Sequence, residues 1–160
     1  MKVKVSRAGR GDLDKLVELN LALNDFHRKW HLHFKPAGVV RRKSKKYLAK
    51  QMHSRKALVL KAETENEIVG FAMAELKKKP PVCTKRNYAH LDSIFVSAPH
   101  RKKGIARLLA RKVEEWAKKK GVNKIELKAF SPNTSAIKTY GKLGFREEAK
   151  MMTKTLRPKK

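Results

Sequence analysis

Val96-Ser97-Ala98-Pro99-His100-Arg101-Lys102-Lys103-Gly104-Ile105-Ala106 is the stretch on which the reading of this chain turns. It follows Tyr88–Ser97, an apolar segment with strand character. It leads into residues whose apolar members, Ile105, Leu108, Leu109, Val113 and Trp116, fall on one face of a helix. Gly121 stands where such a helix stops. A strand, a glycine-bearing turn and a helix start aim unpaired backbone N–H groups at one point, and the helix dipole adds partial positive charge there. Gly104 and the small Ala106 let an anion approach closely, and Arg101, Lys102, Lys103 and Arg107 add side-chain charge. These are parts for a pyrophosphate cradle. They match neither a Walker A loop nor a Gly-x-Gly-x-x-Gly fingerprint. An ordinary helix start with a basic first turn has the same composition, and the stretch alone leaves both readings open.

Working outward, Val3 and Val5 alternate with Lys2 and Lys4 and predict a first strand over 2–7. Asp12 is placed to cap a helix carrying Leu13, Leu16, Val17, Leu19, Leu21 and Leu23. An aromatic and histidine-rich segment runs from Phe26 to Gly38 and is broken at Pro36, and residues 41–53 form a second, very basic helix. Residues 57–62 and 68–76 read as a hairpin, followed by a loop over 77–87. Downstream of Gly121, Lys124–Phe130 is a strand, Ser131-Pro132-Asn133 opens a short helix that ends at Gly144, and Phe145–Leu156 is expected as a last strand. Strands and helices mix, so the class is α/β, an α+β arrangement on one mixed sheet. One domain over 1–156 and a basic tail over 157–160 account for the chain.

Composition bounds the function. Of 160 residues 41% are hydrophobic, enough for a real core, and no run approaches the twenty apolar residues of a membrane span. The opening MKVKVSRAG lacks the apolar centre of a signal peptide, and Cys83 is the single cysteine, which excludes an internal disulfide and a cysteine-built metal site. The expectation is a soluble, cytoplasmic protein with no membrane association. Forty-one Lys and Arg against 14 Asp and Glu give a formal charge of +27, which draws the chain toward anions. The runs 41–46, 77–79, 101–103 and 118–120 are basic, yet there is no aromatic-flanked stacking motif and no zinc-finger spacing. Nucleic acid is therefore expected only as a nonspecific, charge-driven partner.

A second pattern lies some thirty residues after the first: Asn133-x2-Ala136-x3-Tyr140-x3-Gly144-Phe145. It sets Asn133 at a helix start and Ala136 and Tyr140 on one helix face. Tyr140 by itself equally describes a core aromatic whose hydroxyl finds a backbone partner. Taken together, Arg101-x2-Gly104-x-Ala106 and Asn133…Ala136…Tyr140…Gly144-Phe145 resemble the Gcn5-related N-acetyltransferase (GNAT) superfamily, most strongly over 88–146. The resemblance implies a single acyl-CoA N-acyltransferase domain, with a central, mostly antiparallel twisted sheet flanked by helices. It implies acetyl-CoA as cosubstrate and no metal. It places the pyrophosphate on residues 101–107, including Ile105, and the pantetheine on the backbone of Ile94, Phe95 and Val96. Asn133 and Ala136 then touch the cofactor, and Tyr140 protonates the departing thiolate. Homodimers occur in the family, and 145–156 offers a strand for pairing.

Transfer to an amine requires the neutral nucleophile, and only about one lysine-like amine in a few thousand is neutral at pH 7. A base or an amine-orienting group is needed. Asp92 is the candidate, since alternation along the strand puts it on the face of Ile94 and Val96. A capping or ion-paired aspartate is the competing description, and Glu75 and Glu126 are further carboxylates. Relatives that acetylate the N-termini of ribosomal proteins carry a glutamate where this chain has Lys128, and a lysine there cannot act as a carboxylate base. The acceptor region by resemblance is 20–38, with Asn24, Phe26, His27 and Trp30 as binding residues. His27 and His31, four apart with His33 nearby, read either as metal ligands or as pocket-closing aromatics. A primary amine on a small molecule is the first reading of the acceptor, and a protein N-terminus or lysine is the alternative. The charge motivates a rival of another class, a nucleic-acid- or ribosome-binding protein on the same scaffold.

Overall fold

A computed structural model describes residues 2–30, 34–65, 67–84 and 87–156. Five strands, β1 (Lys4–Arg7), β2 (Ala57–Thr64), β3 (Glu67–Lys78), β4 (Asn87–Val96) and β5 (Ile125–Leu127), form one sheet in sequence order. All neighbours are antiparallel except β4 and β5, which are parallel. Four helices complete the chain: α1 (Leu13–His27), α2 (Ala37–His53), α3 (Ile105–Lys119) and α4 (Thr134–Lys142). The second helix starts four residues earlier than its charge pattern predicts, because Pro36 stands in extended backbone just before its first turn.

The two faces of the sheet are buried differently. On one face α3 lays down Ile105, Leu109, Val113 and Trp116 against Leu58, Leu60, Ala72, Ala89, Leu91 and Val96. On the other, α1 contributes Leu16, Val17, Leu19 and Leu23 and α2 contributes Leu48, all against Val59, Phe71, Met73 and Phe95. Each such buried aliphatic side chain stabilises by roughly 1.5–3 kcal/mol, so three layers are held by side chains on strict helical and strand periods. The ion pairs Arg41–Glu18 and Lys45–Asp14 join α2 to α1 at the surface, where such pairs contribute little. Gly70 is required where β3 meets β4, since a Cβ there would lie 2.7 Å from the Phe95 carbonyl oxygen. Among the described residues no helix is long and apolar enough to cross a membrane.

Besides a register shift of β2 against β3 at Ala62/Glu63, two irregularities near the open end of the sheet interrupt this pattern. The register of β3 with β4 steps from Met73↔Ser93 to Ala74↔Leu91, leaving Asp92 as an extra residue. This is a β-bulge, which bends and twists the strand. The pairing of β4 with β5 then ends at Leu91↔Leu127, and beyond it the two strands part. The second irregularity is a correction: residues 145–156 form no strand. The adjacent β5 has only three residues to pair with, and Met152 (90% exposed) and Leu156 (79% exposed) have no apolar cover. Beyond the Phe145 N–H, which donates to the Tyr140 carbonyl at 3.0 Å, side chains link this segment back, Lys124 Nζ to Glu148 Oε1 at 2.7 Å among them. The strand-pairing route to a dimer therefore has no strand to use. The tail at 157–160 lies outside the described residues.

Candidate active site

The gap between β4 and β5 opens into a cavity of about 550 Å³, lined by Leu91–Val96, residues 100–102 and 104–107, residues 128–130 and the inner side of α4, with Leu23, Phe26 and His27 of α1. The phosphate-loop stretch forms one end. Lys102 and Gly104 both adopt left-handed backbone, with φ of +61° and +79°. Gly104 adopts this conformation freely, and for Lys102 it is a strained state typical of functional turns. The result is a concave loop. Among the described residues, the N–H groups of 102–107 meet no backbone acceptor, whereas Leu108 N–H donates to the Gly104 carbonyl at 3.2 Å. Consecutive free donors at a helix start, with Lys102 and Arg107 beside them, fit a polyphosphate anion. Lys103 is not among the lining residues.

Arg101 is placed differently from its neighbours. Its Nε donates to the Val96 carbonyl at 2.9 Å, and its guanidinium sits 5.3 Å from the Phe26 ring centroid and 5.5 Å from that of Phe95. It ties the loop to β4 and to α1 by a hydrogen bond and two cation–π contacts.

The strand edge offers selective backbone. Ser97 N–H donates to the Val69 carbonyl at 2.8 Å, so by the two-residue repeat Phe95 turns its polar groups to β3 while Ile94 and Val96 turn theirs to the gap. Of the three residues expected to offer backbone, two face the cavity edge, and Val96 already uses its carbonyl on Arg101.

The bulge also moves Asp92. Ala89, Leu91, Ile94 and Val96 belong to the α3 face and Phe95 to the α1/α2 face. Two residues therefore fall consecutively on the α1/α2 side, Asp92 and Ser93, joined by Ser93 Oγ donating to Asp92 Oδ2 at 3.1 Å. The expectation that Asp92 shares a face with Ile94 and Val96 is wrong, because simple alternation does not survive an inserted residue. Asp92 still lines the cavity. Glu75 and Glu126 do not line it and are held by lysines: Glu75 by Lys77 at 2.9 Å, Glu126 by Lys79 at 2.7 Å and Lys124 at 3.3 Å. Burial raises the Glu126 carboxyl, but these lysines outweigh it and hold the group below the usual range.

Tyr140 lines the cavity from α4, its ring edge-on to Phe145 at 5.9 Å. Burial pushes its phenol above the ordinary value near 10, so it is protonated at neutral pH. Its hydroxyl makes no hydrogen bond among the described residues, which sets aside a core tyrosine tied to a backbone partner. Asn133 is buried at the start of α4 and accepts the Ala136 N–H at 3.2 Å on Oδ1. It is an N-cap as well as a lining residue.

At the α1 side, Leu23, Phe26 and His27 face the cavity at helical spacing, and Asn24, one residue off that face, does not line it. Trp30 stands behind, packed edge-on against Phe26 at 4.9 Å. His27 sits 5.0 Å from Phe130 and 5.9 Å from Phe34, and burial lowers its pKa, so it is neutral at pH 7. His31 and His33 lie outside the described residues. No group of three metal-ligating side chains occurs among the described residues. Phe130, Ser93 and Lys128 line the cavity without having been assigned to it from sequence. The signal for Phe130 was present as the aromatic ending the predicted strand 124–130, just before Ser131-Pro132.

A parallel pair that splays beside a helix-start anion loop is the architecture of an acyl-CoA N-acyltransferase. The chain belongs to the acetyltransferase (GNAT) family, whose sequence pattern matches residues 20–145. It is 33% identical over 86 residues to human N-acetyltransferase 8, covering 54% of this chain and 37% of that protein. Overall it spans between about a quarter and a half of the length of the curated relatives it matches. The fold superposes on a tetramutant of the BH1408 protein of Bacillus halodurans with a TM-score of 0.85 at 22% identity, covering 96% of this chain and 99% of that one. It also superposes on AAC(6')-Iy in complex with a bisubstrate analog, CoA-S-monomethyl-acetylneamine, with a TM-score of 0.75 at 19% identity, covering 99% and 100%.

Proposed function

We propose that this chain is an acetyl-CoA-dependent N-acetyltransferase that moves an acetyl group directly to the primary amine of a small molecule. One observation carries the reading: the loop of free backbone donors at 102 and 104–107, the open edge of β4 and the Tyr140 phenol all line one cavity. Bound acetyl-CoA supplies the thioester carbonyl as electrophile and a thiolate as leaving group. The loop N–H groups hold the pyrophosphate, with Lys102 and Arg107 adding charge. Ile94 and Val96 offer backbone groups along the pantetheine, and Asn133 and Ala136 close the opposite wall.

The reaction balances with this chain's own groups. Asp92 orients the acceptor ammonium and takes its proton, directly or through water. The amine nitrogen then forms a bond to the carbonyl carbon as the C–S bond breaks, and it gives up its second proton to solvent on becoming the amide nitrogen. A backbone N–H on the β4 edge stabilises charge on the carbonyl oxygen. Tyr140 gives its proton to the sulfur and regains one from solvent. Holding both substrates in one cavity removes much of the entropic barrier, and general acid assistance by a positioned phenol contributes about 10²–10⁴-fold. Solved relatives named as N-acetyltransferases in complex with CoA or with a CoA-containing bisubstrate support this reading.

The test is calorimetric titration with acetyl-CoA at low and high salt, with ADP and inorganic polyphosphate as controls. One-to-one binding that survives high salt and exceeds both controls is expected. Binding no tighter than polyphosphate, and lost with salt, would overturn the enzyme reading, and RNA would become the ligand to examine.

A further inference from the structure

Residues Asp92 and Lys128 are the next positions after the last parallel pair, Leu91↔Leu127. They stand on the two sides of the opening, one on each diverging strand, and both line the cavity. No ion pair joins them among the described residues. The nearby carboxylates Glu75 and Glu126 are occupied by lysines, and Arg101 is occupied by the Val96 carbonyl. Asp92 is bonded only to the neighbouring Ser93 hydroxyl, and Lys128 only reaches a thioether, Met151 Sδ, at 4.0 Å. A carboxylate and an ammonium thus face one space, both exposed and neither in a direct ion pair among the described residues, with Lys77 acting on Asp92 only through space.

Strand geometry places this pair away from the phosphate end. Four residue steps carry the strand from Asp92 to Val96, about 13 Å at full extension. The wall beside it is aromatic: Phe26, His27 and Phe130, with His27 and Phe130 in edge contact at 5.0 Å. The imidazole is neutral at pH 7 and adds no third charge.

We propose, building on the acetyltransferase reading, that the acceptor is a zwitterionic amine of the α-amino-acid type with an apolar or aromatic side chain. Asp92 receives the ammonium, Lys128 pairs with the carboxylate, and the aromatic wall takes the side chain. Lys128 is thereby a specificity-determining residue. A carboxylate held by an ammonium in a partly enclosed site gains a charge-assisted hydrogen bond that its amide does not. A peptide N-terminus, whose α-carbon carries an amide, is a poor fit, and so is a polycationic amine that meets Lys128.

The experiment has a binding arm and a turnover arm. Protein saturated with desulfo-CoA, which cannot react, is titrated with L-phenylalanine, L-phenylalaninamide and phenethylamine. L-Phenylalanine is expected to bind roughly 10- to 30-fold more tightly than the other two, and Lys128→Glu to erase or invert that preference. With acetyl-CoA, kcat/KM is expected to show the same order, the change lying in the KM for the amine. Lys128→Gln separates loss of charge from a misfolded pocket, because desulfo-CoA binding must persist in both variants. Equal binding of acid and amide, or a preference that survives Lys128→Glu, overturns the proposal. Failure of desulfo-CoA to bind at all would instead overturn the reading on which it rests.

Discussion

Tyr140 is a phenol lifted above its ordinary pKa by burial and left without a protein hydrogen-bond partner among the described residues. A proton held that firmly is available through the whole neutral range. Tyr140→Phe is expected to lower kcat by about 100-fold or more while the dissociation constant of acetyl-CoA changes less than threefold. Since the folded pKa is raised, any descending limb in kcat that reports loss of this proton should have its midpoint above the ordinary tyrosine value near 10. A descending limb with a midpoint below 10, or unchanged turnover in the variant, would remove Tyr140 from the mechanism. Its place was legible because a four-residue helical step from Ala136 is a fixed geometric relation. Asp92 was legible as a residue of the site and misread in orientation. Alternation fails wherever a strand carries an extra residue, and no sequence rule marks Asp92-Ser93 as a bulge with certainty.

At the scale of elements, the site is an interruption in otherwise regular structure. The bulge in β4 turns two polar residues to one side and ends the pairing with β5, and the separation of those strands opens the cavity. The loop before α3 makes the other end, and there Gly104 is the element's single permissive residue. A Cβ at Gly104 would meet open space within 4 Å, so the obstacle to substitution is its φ of +79°. Gly104→Ala should lose about 1–2 kcal/mol in urea unfolding and keep measurable acetyl-CoA binding. Gly104→Glu should lose a similar amount of stability and all calorimetrically detectable binding, because a carboxylate enters the space of the pyrophosphate. Equal affinity in the two variants would show that the loop does not hold phosphate. The helix period after this loop was read correctly where positions are buried, but Leu108, expected on the inner face of α3, is 38% exposed, and the strand expected over 124–130 is only Ile125–Leu127. The segment 145–156 was misread as a strand because strand formation depends on a partner edge, and a three-residue β5 gives almost none.

Over the whole molecule, the charge and the fold pull in opposite directions. The carboxylates are largely engaged, as in Lys61 with Asp12 at 2.9 Å and Glu63 at 3.0 Å, so the surplus of +27 is a surface of cations with few anions to balance them. Salt acts on both sides of this balance. It weakens the exposed ion pairs, which contribute only about 0–1 kcal/mol each. It also screens repulsion among the surplus cations, which at 10 mM ionic strength extends over about 30 Å and at 100 mM over about 10 Å. Repulsion at low salt spans the whole domain and involves far more charges than the pairs do, so its relief dominates. The melting temperature in sodium chloride should therefore rise between 10 and 300 mM. Relief of about 1–2 kcal/mol corresponds to roughly 2–8 °C for a domain of this size. RNA affinity measured over the same series should fall steeply through counterion release, while the proposed acetyl-CoA site, with its fixed backbone donors and apolar strand edge, should keep its stoichiometry. A melting temperature that falls with salt would mean that the ion pairs outweigh the surplus. The basic surface would then be a stabilising network instead of an attractor for anions.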